Sequence, residues 1–153
     1  MLDITIIAVD HVRNNDIAGA IAEYLVRLRP YASVKTEEVR PEAFGPGTKE
    51  KAKKIEGERL LKSLAKYPAE SIWLMHEEGQ EFTSVALAKK IESAGDRAVF
   101  VLGGALGFSE EILNKYKQFS LSRLTFPHEL ARLVLIEQVY RVATINRGKE
   151  YHY

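Results

Sequence analysis

Short apolar runs alternate with stretches of helical periodicity along the whole chain of 153 residues. Residues 4–9 are almost entirely apolar and predict a buried strand. After Asn14 and Asn15, apolar residues recur every three or four positions until Pro30, which predicts a helix that starts at an asparagine cap and ends at the proline. Residues 33–39 are more polar and predict a strand near an edge of the sheet.

The same alternation continues through the rest of the chain. Residues 49–67 predict a basic amphipathic helix with Ile55, Leu60, Leu61 and Leu64 turned inward. The remaining predicted elements are a central strand at 71–75, a helix at 83–95 opened by Thr83 and Ser84, a core strand at 98–102, a short helix capped by Ser109, a brief fifth strand at 119–124 and a last helix at 129–145. This order predicts an α/β fold: a mainly parallel sheet with helices on both faces, in one domain that spans residues 1–153.

In open parallel sheets, ligands bind beyond the carboxyl ends of the strands. The loops after Met75, Leu102 and Leu124 are therefore where a ligand is expected. The loop after Leu102 contains Gly103, Gly104 and Gly107. It does not match the dinucleotide fingerprint, because leucine occupies the place of the first glycine, and it lacks the Lys-Ser or Lys-Thr of a phosphate loop. The residues alone leave two interpretations open, a tight turn and a loop that lets backbone approach a ligand.

Two further segments near the C-terminus are unusual. Residues 120–132 contain many small polar residues and Pro127, and their backbone groups could either read an adenine edge or form an ordinary helix entry. The chain then ends with Tyr151, His152 and Tyr153. Terminal tails are usually frayed, but this aromatic composition favours a tail that packs into a site or a dimer interface.

Composition narrows the class of protein further. The chain has no cysteine, which excludes disulfides, thiolate zinc sites and cysteine nucleophiles, and we expect no metal site. It has no signal peptide and no apolar run of roughly 20 residues, so we expect a cytoplasmic protein with no membrane partner. The formal net charge is only +1. Residues 115–153 and a lysine-rich stretch at 49–66 are nevertheless basic, and these patches could bind phosphates or simply form solvated helix faces.

Taken together, these segments resemble the RlmH family of the SPOUT superfamily, the pseudouridine-N3 methyltransferases of large-subunit ribosomal RNA. The matching segments are residues 100–107 (FVLGGALG), 121–128 (LSRLTFPH), 132–141 (RLVLIEQVYR) and 148–152 (GKEYH), with looser matches at 54–57 (KIEG) and 75–79 (MHEEG). The likeness covers essentially the whole chain, in order. Two positions depart from the family pattern: His76 stands where aspartate is usual, and Tyr153 stands where a basic residue often ends the chain.

The resemblance implies a C-terminal trefoil knot, a homodimer and S-adenosyl-L-methionine as the cofactor. It places the cofactor against the three loops named above, at Met75, Gly103, Gly104, Gly107, Leu121, Ser122, Arg123, Leu124, Thr125 and Phe126. The partner it implies is large-subunit ribosomal RNA within the ribosome. Because the net charge is small and no separate RNA-binding domain is present, we expect the ribosome to supply part of the recognition.

Methyl transfer to a uracil-type nitrogen needs a proton acceptor and a positive group beside the base. His128 and His152 are the candidates for the acceptor, Arg132 for the positive group and Tyr151 for stacking on the target base. Each histidine also has a structural interpretation, His128 as a helix-start residue and His152 as an interface residue. Two alternative functions stay open: methylation of another RNA such as transfer RNA, and a non-catalytic nucleotide-binding α/β module.

Overall fold

The sheet contains five strands, all parallel to their neighbours. A computed structural model describes residues 1–153. The strands are β1 (Leu2–Val9), β2 (Ala32–Val39), β3 (Ile72–Glu81), β4 (Arg97–Leu102) and β5 (Lys117–Ser120), in the spatial order β2-β1-β4-β3-β5. The predicted α/β class with a parallel sheet is confirmed.

The helices cover both faces of this sheet. They are α1 (Asn15–Leu28), α2 (Lys49–Leu64), α3 (Ser84–Ser93), α4 (Glu110–Leu113) and α5 (His128–Asn146), with a single 3-10 turn at Ala69–Ser71. α1, α3 and α5 pack on one face against Ile4, Ile6 and Phe100, while α2 and α4 pack on the other against Ile7, Val99 and Val101. Successive side chains of β1 and β4 point to opposite faces of the sheet, so these strands contribute to two separate hydrophobic clusters, one on each face. No helix is both long enough and apolar enough to span a membrane.

Helix boundaries follow the capping residues that the sequence supplies. The Asn14 side chain accepts hydrogen bonds from the N–H groups of Asp16 and Ile17, and the Thr83 hydroxyl accepts one from the N–H of Ala86. Such caps satisfy donors that have no partner within the helix. Gly95, which follows α3, has a φ of 76°, a conformation that glycine adopts without steric cost.

Some predicted details are confirmed by the structure and others are corrected. β3 is an interior strand between β4 and β5, as expected, and β2 lies at the edge, as expected. In α2, Ile55 and Leu61 are only half-buried, whereas Glu56 and Gly57 are buried. β5 ends at Ser120 instead of residue 124. It ends early because the Ser120 hydroxyl donates to the carbonyl of Ser122 at 2.8 Å, which turns the chain out of the sheet.

β3 contains a large irregularity where it passes β5. Met75 and Gln80 both pair with Phe119, so residues 76–79 bulge out of the ladder. Gly79 in this bulge lies directly on the β5 backbone: a Cβ there would be 2.7 Å from the carbonyl carbon of Gln118 and 2.7 Å from the nitrogen of Phe119. The bulge therefore crosses β5 at a distance that only glycine permits.

Candidate functional site

One large cavity opens at the carboxyl ends of β3, β4 and β5. Its volume is about 890 Å³, within the range of small-molecule sites. Its walls come from three segments: residues 75–77 at the β3 bulge, residues 102–108 after β4, and residues 121–128 between β5 and α5, with Lys53, Glu110, Leu113 and Ala131 completing the lining. These are the three loops that the sequence singled out.

The glycine turn after β4 leaves no room for side chains on two of its glycines. Gly104 and Gly107 form an antiparallel bridge, and Gly107 has a φ of 74°. A Cβ on Gly103 would lie 3.2 Å from the carbonyl carbon of Gly107. A Cβ on Gly104 would lie 3.0 Å from Cγ1 of Val9. The turn is therefore tight, as one of the two interpretations expected, and it is also part of the cavity wall.

The segment from Leu121 to Pro127 is an ordered loop that presents backbone. The Ser120 hydroxyl shares its one proton between the carbonyls of Glu77 at 3.1 Å and Ser122 at 2.8 Å, and the Thr125 hydroxyl donates to the Glu77 carboxylate at 2.6 Å. Between residues 121 and 126, no N–H group donates to another backbone carbonyl, although the Leu124 N–H donates to the Ser122 hydroxyl at 3.1 Å. Such free donors beside Leu121 and Phe126 suit the polar edge of a planar ligand whose faces contact apolar side chains.

The predicted cofactor-binding residues fall together in this cavity with one exception. Nine of the ten line it: Met75, Gly103, Gly104, Gly107, Leu121, Ser122, Leu124, Thr125 and Phe126. Arg123 is not among the lining residues and is exposed. Its neighbours in the loop turn toward the cavity while its own side chain turns away.

Among the predicted catalytic residues, only His128 lines the cavity. It is the first residue of α5, directly after Pro127. Its Nε2 atom is buried and has no hydrogen-bond partner. A buried polar atom without a partner is uncommon in a folded protein, and here it adjoins the cavity wall.

Arg132 does not reach the cavity. Its side chain is buried, with Nη2 donating to the carbonyl of Asp10 at 2.8 Å and Nη1 3.3 Å from the Glu38 carboxylate. The guanidinium thus ties α5 to the ends of β1 and β2. Arg132 follows His128 by one helical turn, but its side chain faces the sheet and not the cavity. The expectation that it stands beside a target base is therefore not met within this chain.

Tyr151 and His152 pack against the far part of α5. The Tyr151 hydroxyl donates to the Glu137 carboxylate at 3.0 Å, and its ring lies 4.7 Å from that of Tyr140. His152 places Nδ1 3.2 Å from the guanidinium of Arg141. Burial, with hydrogen bonds to Tyr24 and Glu137, raises the pKa of the Tyr151 phenol above its ordinary value. Neither tail residue lines the cavity.

Glu56 is a buried group that sequence reasoning missed. Only 4% of the residue is exposed. Oε2 accepts a hydrogen bond from the N–H of Glu42 at 3.0 Å, whereas Oε1 has no partner. Oε1 lies behind the glycine turn, 3.3 Å from where a Cβ of Gly104 would be. Its burial could not be predicted from residue type, since carboxylates are rarely buried.

Glu56→Gln is expected to gain stability relative to the wild type as the pH rises. Burial raises the pKa of the Glu56 carboxyl above 4.5, with Glu42 and Asp10 adding to the rise and the Glu42 N–H and Arg59 opposing it. Below pH 4.5 both the folded and the unfolded chain hold this proton. Above it the unfolded chain releases the proton first, so the wild type loses stability up to the folded-state pKa. Glutamine has no proton to release in this pH range, so the variant does not lose stability in this way.

The measurement is the difference in unfolding free energy between Glu56→Gln and the wild type at pH 4 and pH 8. Glu58→Gln is the matched control, since Glu58 is exposed on the same helix. A difference that does not grow with pH for Glu56→Gln, or that grows equally for both variants, would contradict the assignment.

A cavity beyond the carboxyl ends of a parallel sheet, walled by a glycine turn and a backbone-presenting loop, defines this chain as a ligand-binding α/β protein. A family model described as "Predicted SPOUT methyltransferase" matches residues 2–152. The chain therefore belongs to the SPOUT methyltransferase family, which confirms the resemblance drawn from its motifs.

Relatives of high coverage carry one shared name, "Ribosomal RNA large subunit methyltransferase H". The protein of Kosmotoga olearia is 41% identical over 93% of this chain and 94% of its own length. That of Pelotomaculum thermopropionicum is 38% identical over the full length of both chains, and that of Carboxydothermus hydrogenoformans is 37% identical over 99% of each.

Solved structures share the fold at low sequence identity. TrmJ from Z. mobilis ZM4 superimposes with a TM-score of 0.53 at 10% identity, covering 94% of this chain and 70% of that one. A "probable rRNA-methyltransferase" from Porphyromonas gingivalis gives a TM-score of 0.55 at 15% identity, covering 95% and 70%. These likenesses concern the arrangement of strands and helices only.

Proposed function

We propose that this chain is a cytoplasmic S-adenosyl-L-methionine-dependent methyltransferase that methylates N3 of a pseudouridine in large-subunit ribosomal RNA within the ribosome. The observation that carries the proposal is the single cavity built from the glycine turn, the β3 bulge and residues 121–128. Family membership and the shared name of the relatives supply the reaction class and the kind of RNA.

The residues of the cavity fit S-adenosyl-L-methionine. Apolar side chains of Met75, Leu121 and Phe126 line the space, and the adjoining backbone offers free donors for an adenine edge. Gly103 and Gly104 form part of the cavity wall in a turn that is too tight for a Cβ on either residue without displacing its neighbours. When bound, this group supplies a methyl that is already electrophilic on a sulfonium, so the protein mainly has to align and exclude water.

His128 is assigned to move the proton of the target nitrogen. His128 lines the cavity, and its buried Nε2 atom has no hydrogen-bond partner within the chain, so this atom can still accept a further partner. Imidazole is the side chain that most often moves protons in general acid–base catalysis. Arg132 supports this position from behind, because it fixes α5 against the carbonyl of Asp10.

The protein acts as a homodimer in this proposal, with the tail of one copy completing the cavity of the other. Tyr151 sits in a cluster with Tyr24, Tyr31 and Tyr140 on the surface of α1 and α5. Such partly exposed aromatic groups are typical of interfaces. Tyr151 then stacks on the target base, and His152 with Arg141 contacts its backbone or oxygens.

The C-terminal half is inferred to form the trefoil knot of the family. β3 bulges across β5 at Gly79, and the chain beyond β5 continues into the cavity-lining loop and α5. The β3 bulge lies close to β5, and α5 then packs back on the sheet. This arrangement supports a C-terminal segment that is threaded through a loop.

Transfer of a labelled methyl group to ribosomes tests the function. Ribosomes from a strain lacking this protein should accept one methyl per large subunit, and nucleoside mass spectrometry should identify it as N3-methylpseudouridine. Label in transfer RNA alone, or in none of the RNA, would contradict the proposal.

Gly103→Val is the variant that should lose cofactor binding and therefore activity in this assay. Its side chain would collide with the backbone of Gly107, so we expect the affinity for S-adenosylhomocysteine to fall by roughly 100-fold. Calorimetric titration measures the affinity, and circular dichroism checks that the variant folds. Wild-type affinity in the folded variant would remove the glycine turn from the site.

A further inference from the structure

We propose that Lys53 and Glu110 form a subsite for the amino-acid end of the methyl donor, with Lys53 binding its carboxylate and Glu110 its ammonium group. This inference rests on the proposed function and extends it, because it assigns an orientation to the donor in the cavity. Neither residue belongs to the segments matched by the family motifs quoted above.

Lys53 brings the only lysine or arginine side chain among the residues that line the cavity. It lies on α2, outside the three loops that form most of the wall. Its side chain is only 24% exposed, and its one ion-pair partner, Glu50 at 3.2 Å, is 88% exposed. A half-buried ammonium whose counter-charge is free in solvent can exchange that partner for a ligand carboxylate at little cost.

Glu110 stands at the same end of the cavity. α4 begins with Glu110 and packs against α2 where Gly57, one turn after Lys53, faces Ser109. Glu110 takes part in no ion pair, whereas the other carboxylate of the lining, that of Glu77, accepts the Thr125 hydroxyl. A cation on one wall and a free carboxylate on the adjoining wall complement a zwitterion.

The cavity wall formed by residues 121–126 has a different character. It presents apolar side chains and backbone N–H groups that, apart from that of Leu124, have no backbone or side-chain acceptor, which suits a nucleoside. With the nucleoside there and the amino-acid end at Lys53 and Glu110, the donor spans the cavity between these two groups of residues. The charges therefore determine the direction in which the donor lies.

Two ligands that differ only at the amino-acid end test the subsite by calorimetry. S-adenosylhomocysteine carries the zwitterion, whereas 5′-methylthioadenosine keeps the nucleoside and the thioether but lacks it. The wild type should bind the first more tightly. Lys53→Met keeps the aliphatic stem and should weaken S-adenosylhomocysteine about tenfold, as expected for a lost charge-assisted hydrogen bond, while leaving 5′-methylthioadenosine unchanged.

Glu110→Gln should show the same selective loss, and Lys53→Arg should retain most of the affinity. Lys54→Met is the matched control, because Lys54 is the next residue of α2, is exposed and does not line the cavity. Equal losses for both ligands in Lys53→Met, or no loss for either, overturn the subsite while leaving the methyltransferase assignment intact. Failure of the wild type to bind either ligand instead overturns the proposed function on which the subsite rests.

Discussion

Gly79→Ala is expected to lower the free energy of unfolding by about 3 kcal/mol or more, at the upper end of what overpacking costs. The added Cβ would lie 2.7 Å from the carbonyl carbon of Gln118, 2.7 Å from the nitrogen of Phe119 and 2.9 Å from the oxygen of Gln118. All three atoms belong to the backbone of β5. A backbone that pairs with β3 on both sides of the bulge cannot move aside as a flexible side chain would.

The methyl group added by Gly79→Ala should also disturb the cavity. The bulge that contains Gly79 brings Glu77 to Ser120 and Thr125, so displacing it breaks the contacts that hold the loop beside the cavity. Ligand affinity should therefore fall together with stability. Chemical denaturation monitored by circular dichroism measures the first effect, and titration with S-adenosylhomocysteine measures the second.

Gly19→Ala provides the matched control for the same chemical change. Gly19 lies within α1, and a Cβ there would meet nothing within 4 Å. Alanine is a better helix former than glycine by about 1 kcal/mol, so this variant should be more stable than the wild type. A Gly79→Ala protein as stable as Gly19→Ala would show that the crossing is looser than its geometry indicates.

The sequence predicted the parts of the fold that depend on local patterns. The Asn14 and Thr83 caps, the edge position of β2 and the buried run at 98–102 all follow from residue type and spacing, and the structure confirms them. The bulge at 76–79 could not be predicted, because it arises from β3 crossing β5, two segments 40 residues apart. Glycine at position 79 hints at a special backbone position, but the residue alone does not say what lies above it.

The candidate site likewise contains residues that the sequence predicted and residues that it did not. The rule that ligands bind at the carboxyl ends of parallel strands led to the correct three loops, and the family motifs led to nine residues that line one cavity. Arg132 was placed wrongly in space because helical spacing gives the angle between side chains but not which face meets the sheet. Lys53 and Glu56 were missed because α2 approaches the cavity only in the folded chain.

Mixing two inactive variants is expected to restore methylation if the aromatic tail acts across a dimer. Tyr151 donates to Glu137, and Glu137 is nine residues beyond the cavity residue His128, roughly 14 Å along α5 at the helical rise. The tail of one protomer is therefore held away from its own cavity. A second copy has to bring its tail to that cavity for Tyr151 to reach the target base.

Tyr151→Ala should lose turnover by roughly 100-fold while binding S-adenosylhomocysteine normally, and Gly103→Val should bind it poorly. Each homodimer then has two defective sites. A mixed dimer joins the intact cavity of the Tyr151→Ala chain to the intact tail of the Gly103→Val chain, so one of its two sites is complete. Random exchange gives mixed dimers for half of the population, and activity should return to about a quarter of the wild-type level.

The experiment uses the two purified variants refolded together, with labelled methyl transfer to ribosomes as the readout. A chain that carries both substitutions, mixed with wild type, is the control, because its mixed dimers hold one defective component in each site and should add no activity beyond that of the wild-type homodimers. If Tyr151 instead acted only within its own chain, the two single variants would stay inactive after mixing. That outcome would leave the cofactor cavity in place and assign Tyr151 to the support of α5 through Glu137 and Tyr140.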